Sequence, residues 1–221
     1  MNSFKIENGI LIKYLGGMGR DVAIPCGVTL IQKGAISENQ YIRKLVIPAS
    51  VSELSDGACL GMGELKRVTL SEGLTHIGSR AFARCGRLEN ISLPNSVISI
   101  GEEAFYMCSS LKSFAVPFGV KCVGAKTFAG CTSLSQVKLL HGVERISAEA
   151  FVGCRRLKSI WLPGSLTAIE ADAFSMCLGL KRVIFNGTAE EWDRIAYEGI
   201  FKDPASVTVL CNDGNVAYKK N

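Results

Sequence analysis

The apolar residues of this chain recur at an interval of 23 residues. A leucine column runs Leu65, Leu88, Leu111, Leu134, Leu157 and Leu180. Three positions on lie Val68, Ile91, Phe114, Val137, Ile160 and Val183, and two further on Leu70, Leu93, Val116, Leu139, Leu162 and Phe185. Two more columns, from Leu74 and from Ile77, carry only Leu, Val or Ile, and a last one is Phe82, Phe105, Phe128, Phe151 and Phe174. An interval of this length marks a chain of stacked repeats. Within each unit, L-x-x-I-x-L alternates apolar and polar residues, which predicts a short strand with one buried face. Pro48, Pro94, Pro117 and Pro163 follow that strand and help to end it, because proline cannot donate a ladder hydrogen bond. The run V-x-x-I-G then turns the chain. "GEEAF" places acidic residues before an apolar pair, as the first turn of a short helix prefers. One unit cannot bury its own apolar face, so the units stack and their strands form a parallel sheet along one side.

The pattern continues upstream in weaker form. "LVIPASVSELSDGACLGM" (45–62) fits it with Cys59 in the Phe column, and "VAIPCGVTLIQKGAI" (22–36) fits with Ile36 there. The unit A-F-x-x-C-x-x-L-x-x-I-x-L-P-x-S-V-x-x-I-G resembles the BspA-like (bacterial surface protein A-like) leucine-rich repeats over residues 21–188. "FKIENGILIKYLGG" looks like the opening hairpin of such proteins and "FNGTAEEWDRI" like their closing segment. The resemblance implies an α/β repeat solenoid of right-handed leucine-rich-repeat fold, with a parallel sheet on the concave side and short helical turns on the convex side. It also implies a surface used for binding other molecules. The expected division is a capping hairpin over 1–20, about seven repeats over 21–187 with the first two degenerate, and a helix–strand cap over 188–221. In that cap Thr188 and Glu191 fit a capping box, Trp192 and Ile195 share a helix face, and "SVTVLC" (206–211) reads as a last strand.

Composition narrows the function. With 48% hydrophobic and 20% charged residues the chain can bury a core. A formal net charge of +5 falls short of the dense basic stripe that nucleic acid requires, so no nucleic-acid partner is expected. No apolar run approaches the roughly 20 residues that span a bilayer, so no membrane insertion is expected. The start "MNSFKIENGILIKYLGG" lacks signal-peptide features. As given, the sequence reads as cytoplasmic, or as secreted or surface-located if a leader precedes it.

Candidate chemistry begins with the cysteines. Cys85, Cys108, Cys131, Cys154 and Cys177 share the repeat interval. A structural zinc needs about four ligands at one point, and one cysteine per repeat makes a line instead. Parallel Cβ vectors also suit disulfides poorly. The column therefore reads as small, buried, reduced and metal-free residues at a tight turn, with Met62 at its upstream end. Cys26, Cys59, Cys122 and Cys211 lie off the column and have no recognisable base beside them. "GGMG" (16–19) lacks the Lys-Ser/Thr of a phosphate loop and reads as a turn. Asn90-Ile-Ser92 and Asn186-Gly-Thr188 match the glycosylation pattern, which recurs by chance. His76 sits in a turn without an acid partner. No carboxylate pair, Ser-His-Asp set or metal cluster stands out, so no enzyme and no cofactor are expected.

The strand residues that alternate with the buried ones form two outward columns. One is Lys44, Arg67, Asn90, Ser113, Gln136, Ser159 and Arg182; the other is Val46, Thr69, Ser92, Ala115, Lys138, Trp161 and Ile184. In a solenoid this side is commonly the binding side. Trp161 stands out, with Lys138, Gln136 and Arg182 near it and with Phe118 and His141 just past their strands. An exposed tryptophan beside a cation and other aromatics suits a protein hot spot or a sugar-stacking platform. A protein partner is the first expectation and a glycan the alternative. On the outer side, Arg84, Arg87, Arg155, Arg156, Lys181 and Arg182 read as a solvated basic face, since Glu102 and Glu103 interrupt it.

Overall fold

Each 23-residue unit makes one coil of a solenoid in a computed structural model that describes residues 3–195, 200–201 and 207–217. The remaining parts of the terminal segments 1–20 and 188–221, including position 206 of the expected last strand, lie outside the described residues. The first side of the coil is the predicted strand. Asp21–Ala23, Lys44–Ile47, Arg67–Leu70 and Asn90–Ile91 run parallel to one another. Ser113–Val116, Gln136–Leu139, Ser159–Pro163 and Arg182–Asn186 do the same and continue into Thr208–Cys211. Partners are one repeat apart: Lys44 opposite Arg67, Val137 opposite Ile160.

The second side differs from expectation. V-x-x-I-G does more than turn the chain; its residues form two-residue strands such as Glu53–Leu54, His76–Ile77 and Ser99–Ile100, which stack into a narrow parallel sheet. His76, expected in a turn, is part of that sheet and its Nδ1 lies 2.8 Å from Thr75 Oγ1.

The third side also differs. The A-F-x-x-C segments are not helical; the only helix among the described residues is Ala189–Ile195. Each coil instead makes tandem turns. Ala81, Ala83 and Cys85 N–H groups bond back three residues to Gly78, Arg80 and Phe82, while Arg80, Phe82 and Arg84 donate across to Glu102, Ala104 and Tyr106 in the next coil. Two residues per coil are left-handed, one repeat apart each time: Gly57, Arg80, Glu103, Lys126, Glu149 and Asp172 in one row, Gly61, Arg84, Met107, Gly130, Gly153 and Met176 in the other. A left-handed third residue is what a type II turn requires, and it stops an α-helix. A non-glycine residue there is strained by on the order of 1–3 kcal/mol. The flanking inter-coil bonds hold it in place.

The ends are closed by other means. Phe4–Glu7 and Ile10–Tyr14 pair antiparallel about Asn8 and Gly9, whose φ of 49° and 76° suit a type I′ hairpin turn. Ile10 and Leu11 then start the narrow sheet beside Leu30 and Ile31. At the other end, Thr188 and Glu191 make the reciprocal capping bonds, 2.8 Å from Thr188 N–H to the Glu191 carboxylate and 3.1 Å from Glu191 N–H to Thr188 Oγ1. Trp192 is fully buried, with ring centroids 5.5 Å from Phe185 and 6.4 Å from Phe201.

The core is a single column of rings and branched chains. Phe82, Phe105, Phe128, Phe151 and Phe174 stack face to face at centroid separations of 5.7, 5.6, 5.2 and 5.5 Å, all within 8° of parallel. Phe201 extends the row, 5.6 Å from Phe174. One boundary interrupts the sheets. No ladder joins Asn90–Ile91 to Ser113–Val116, or Ser99–Ile100 to Cys122–Val123. The tandem turns stay bonded there, with Glu103 N–H 3.0 Å from Ala125 O and Met107 N–H 2.8 Å from Ala129 O. The break falls at Phe114, the one ring in a column of Val and Ile. It stands edge-on to Phe105 at 4.9 Å and to Phe128 at 4.7 Å. A ring so placed occupies more of the coil than a branched aliphatic chain does; the strand that carries it keeps its ladder to Gln136–Leu139 and has none to Asn90–Ile91.

Truncating the middle of the ring column tests its role. Phe128→Ala is expected to destabilise the protein by about 3–5 kcal/mol, read by urea unfolding, with Phe128→Leu costing much less. The sheet break has its own signature. Glu144 and Ser147 N–H groups reach Lys121 O and Val123 O at 2.8 and 2.9 Å, whereas the corresponding amides one coil earlier, Lys121 and Gly124, meet no backbone acceptor among the described residues. Native hydrogen exchange is expected to be faster at Lys121 and Gly124 than at Glu144 and Ser147; equal protection would mean the ladder is closed.

Candidate functional site

The strand pleat sends alternate residues to the core, so the two outward columns present most of the side chains that a ligand on this side would meet. Their side chains vary in size along the solenoid. Ser92, Ser113 and Ala115 are short and lie in the middle. Arg67 lies to one side, with Gln136, Lys138 and Trp161 to the other. The result is a groove of about 800 Å³ across the strand face, floored by residues that include Leu93 and Phe114. It lies over the sheet break.

The structure distributes the expected site residues unevenly. Gln136 and Lys138 are exposed and line the groove, and Trp161, half-buried, lines it on the rung next to Lys138. Arg182 is exposed but stands two rungs from Gln136, beyond Ser159, and does not line it. Phe118, 58% exposed, and His141, also exposed, lie outside the groove as well, because the chain has already left the strand before it reaches them. Ser159 is buried at 3% exposure, contrary to its place in an outward column; its short side chain lies between those of Gln136 and Arg182. Arg67, Asn90, Ser92 and Ser113 also line the groove although nothing singled them out in the sequence. The available signal was the drop in side-chain size in mid-column.

A second cavity, of about 610 Å³, lies on the turn side and holds Arg80, Glu103, Lys126 and Glu149. Four of its charges pair off. Arg80 makes a fork to Glu103 at 2.9 and 3.0 Å, and Lys126 lies 3.5 Å from Glu149. The Arg80 bond holds the Glu103 carboxyl below its usual range. The outer basic group is divided between sides: Arg84 lines this cavity with Glu103, Arg87 bonds Glu64 at 2.7 Å, and Arg182 belongs to the strand face.

The cysteine column is fully buried. Each thiol donates to a backbone carbonyl of the preceding coil: Cys108 to Phe82 O, Cys131 to Phe105 O and Cys154 to Phe128 O at 3.2 Å, and Cys177 to Phe151 O at 3.1 Å. Those carbonyls also accept the N–H of the cysteine three residues on. Cysteine suits the position because it combines a small apolar body with a weak donor for the second lone pair. Burial pushes the Cys85 and Cys131 thiols from an ordinary 9.0 up to about 12. Among the described residues no three His, Cys, Asp or Glu side chains converge on a possible metal position.

In-register coils with a strand side, a narrow-sheet side and a turn side define a leucine-rich-repeat solenoid. The chain belongs to the BspA type leucine rich repeat family, whose repeat region matches residues 19–131 and 75–202 in 6 copies. It is similar to a leucine rich cell surface protein of Faecalibacterium prausnitzii, with 30% identity and a TM-score of 0.74 over 80% of this chain. The chain spans 50% of that protein's length. It is similar to the leucine rich repeat protein of T. pallidum, with 31% identity and a TM-score of 0.72, covering 77% of this chain and 82% of that one. A leucine-rich repeat protein of Bacteroides ovatus, at 19% identity and a TM-score of 0.58 over 95% of this chain and 69% of that one, shares the fold. A comparison with curated proteins returns no match. Among the described residues no helix is long and apolar enough to cross a membrane.

The thiols generate a paired prediction. A thiol reagent is expected to label exposed Cys26 in the native protein and the five column cysteines only on unfolding. Between pH 9 and about 12 the unfolded chain loses thiol protons that the native chain keeps, so stability falls as pH rises through that window. Cys131→Ala is expected to flatten part of that fall, read as urea midpoints against pH.

Proposed function

We propose that the protein is a non-catalytic scaffold that binds a protein partner on its strand face, across the groove. The observation that carries this reading is the half-buried Trp161 beside Lys138, at one end of a groove that also holds the short side chains Ser92, Ser113 and Ala115. A tryptophan held on one side and open on the other gives a large contact area at little entropic cost, as interface hot spots do. No carboxylate or histidine lines the groove, and the turn-side cavity engages its carboxylates in ion pairs, which supports a binding role over acid–base catalysis. The N-terminal hairpin and the Ala189–Ile195 helix with the last strands act as caps, covering apolar rungs that would otherwise have one neighbour. A surface location is consistent with the cell-surface neighbour from F. prausnitzii.

A second reading, a glycan ligand, is favoured by one feature: Thr69, Ser92 and Ser113 offer hydroxyls along the groove that ends at Trp161. Array binding with purified proteins and glycans separates the two. A verified protein partner is expected to lose on the order of 30-fold in affinity with Trp161→Ala, the change that a hot spot of about 2 kcal/mol makes. Phe118→Ala, outside the groove, is expected to leave the affinity unchanged. A partner indifferent to Trp161→Ala would remove the groove from the contact; selective glycan capture lost with Trp161→Ala would favour the second reading.

A further inference from the structure

We infer that the strand face recognises an acidic ligand: an extended, carboxylate-rich segment of a protein partner, laid along a row of unneutralised cations. This rests on the strand-face reading above and adds the partner's chemistry to it.

The charge of the chain is segregated around the coil. The two positions that open each broad strand carry a cation in six of the eight repeats, from Arg43-Lys44 and Lys66-Arg67 to Lys181-Arg182, and of these Arg43 lies 3.6 Å from Glu64. Lys138 supplies one further along its rung. Most acids lie elsewhere, with Glu53 and Glu144 in or beside the narrow sheet and Glu103, Glu149 and Asp172 at the left-handed turn positions; Asp21, opposite Lys44 in register, is on the strand face but makes no ion pair with it. A formal net charge of +5 conceals this arrangement.

On the other sides much of the charge is paired, although exposed Arg84 and Arg155 make no ion pair among the described residues. Opposite charges stand 23 residues apart and meet across coils, as in Arg80–Glu103 at 2.9 Å, Lys121–Glu144 at 2.9 Å and Lys126–Glu149 at 3.5 Å. The strand face departs from this pairing. Lys44 lies directly opposite Arg67 in register, and like charges placed so destabilise a sheet. Lys44, Arg67, Lys138 and Arg182 are exposed and make no ion pair among the described residues. An anion lying across the rungs would relieve that repulsion.

The chain supplies one such anion itself. Glu89, which with Asp21 is one of two acids at the opening positions, accepts a 2.7 Å bond from Lys112 Nζ. That bond and the Lys112 charge, with smaller contributions from Lys66 and Arg67, hold its carboxyl below the usual range. A carboxylate brought to this edge from outside would meet the same cations.

Geometry favours an extended peptide. Rungs joined by a ladder are about 4.8 Å apart, so Arg67 and Lys138, three rungs apart across the sheet break, are separated by at least about 14 Å along the solenoid, about four or more residues of extended chain. Asn90, Ser92, Ser113 and Gln136 line the groove between them and offer hydrogen-bonding groups to a peptide backbone.

The test uses the whole protein and a fluorescent peptide with glutamates four residues apart in a Gly/Ser/Asn background, beside its glutamine counterpart and a sulfated polysaccharide. The glutamate peptide is expected to bind in low salt and weaken as salt rises, and the glutamine peptide not to bind. Arg67→Glu with Lys138→Glu is expected to lower the affinity about tenfold or more, while Lys126→Ala on the turn side leaves it unchanged. Both positions are exposed, so a thermal melt like that of the wild type verifies that the double variant is folded. Equal binding of the glutamine peptide, indifference to charge reversal, or binding of the polysaccharide alone would each overturn the inference. A verified partner that is sensitive to Trp161→Ala but not to charge reversal would leave the strand-face reading standing without the acidic ligand. Indifference to both would remove the reading itself.

Discussion

The backbone bond from one coil to the next is the constraint on which everything else depends. Residue i donates to a carbonyl about one repeat away on the strand side, on the narrow sheet and between the tandem turns. With three ladders running, the coils stay in register and every side chain lies over its equivalent. The Phe rings stack because their backbones are locked at one interval. The cysteine thiols reach the Phe carbonyls for the same reason, as do the charge pairs at 23 residues. Inserting a single residue into one coil would shift all three ladders against the next coil. This explains why the interval holds from Leu65 to Leu180 while individual residues vary freely.

The turn side shows how that constraint overrides local preference. Glu102-Glu103 before an apolar pair is a reasonable helix start by propensity and by the helix dipole. Yet Glu103 is left-handed, like Arg80 and Lys126 one coil away on either side. A short helix would satisfy its own amides internally, whereas alternate amides here must face the next coil. Tandem turns do both, bonding every second N–H within the coil and the others between coils. The strain at a left-handed arginine or glutamate is small against the bonds it allows.

The site follows a different logic from the core. Position in the outward columns was legible from period and alternation alone, and Gln136, Lys138 and Trp161 do share one wall of the groove. Phe118 and His141 stand at equivalent positions just past strands on neighbouring rungs, which predicts them near Trp161, but the coil turns before them. Ser159 was placed outward by parity and is nonetheless covered, because a small side chain between two large ones is shielded whichever way it points. The groove itself arises from relative side-chain size across four coils together with the break at Phe114. Neither appears in any one repeat.

By itself the sequence determined the period, the strand of each unit, the inward columns and the burial of the five cysteines. It also determined the capping pair Thr188 and Glu191. All of these follow from residue type at a fixed interval, or from partners three residues apart. Only the tertiary structure decided that the third side is turns, that the V-x-x-I-G run makes a second sheet, and that both sheets part at one boundary. It also showed that Lys44, Arg67, Lys138 and Arg182 on the strand face make no ion pair among the described residues, whereas Arg80, Lys121 and Lys126 on the other sides meet carboxylates one coil away. The reason is physical: hydrophobic period reports which residues face inward, but a turn's backbone conformation, a groove's depth and a charge's partner depend on the adjoining coils.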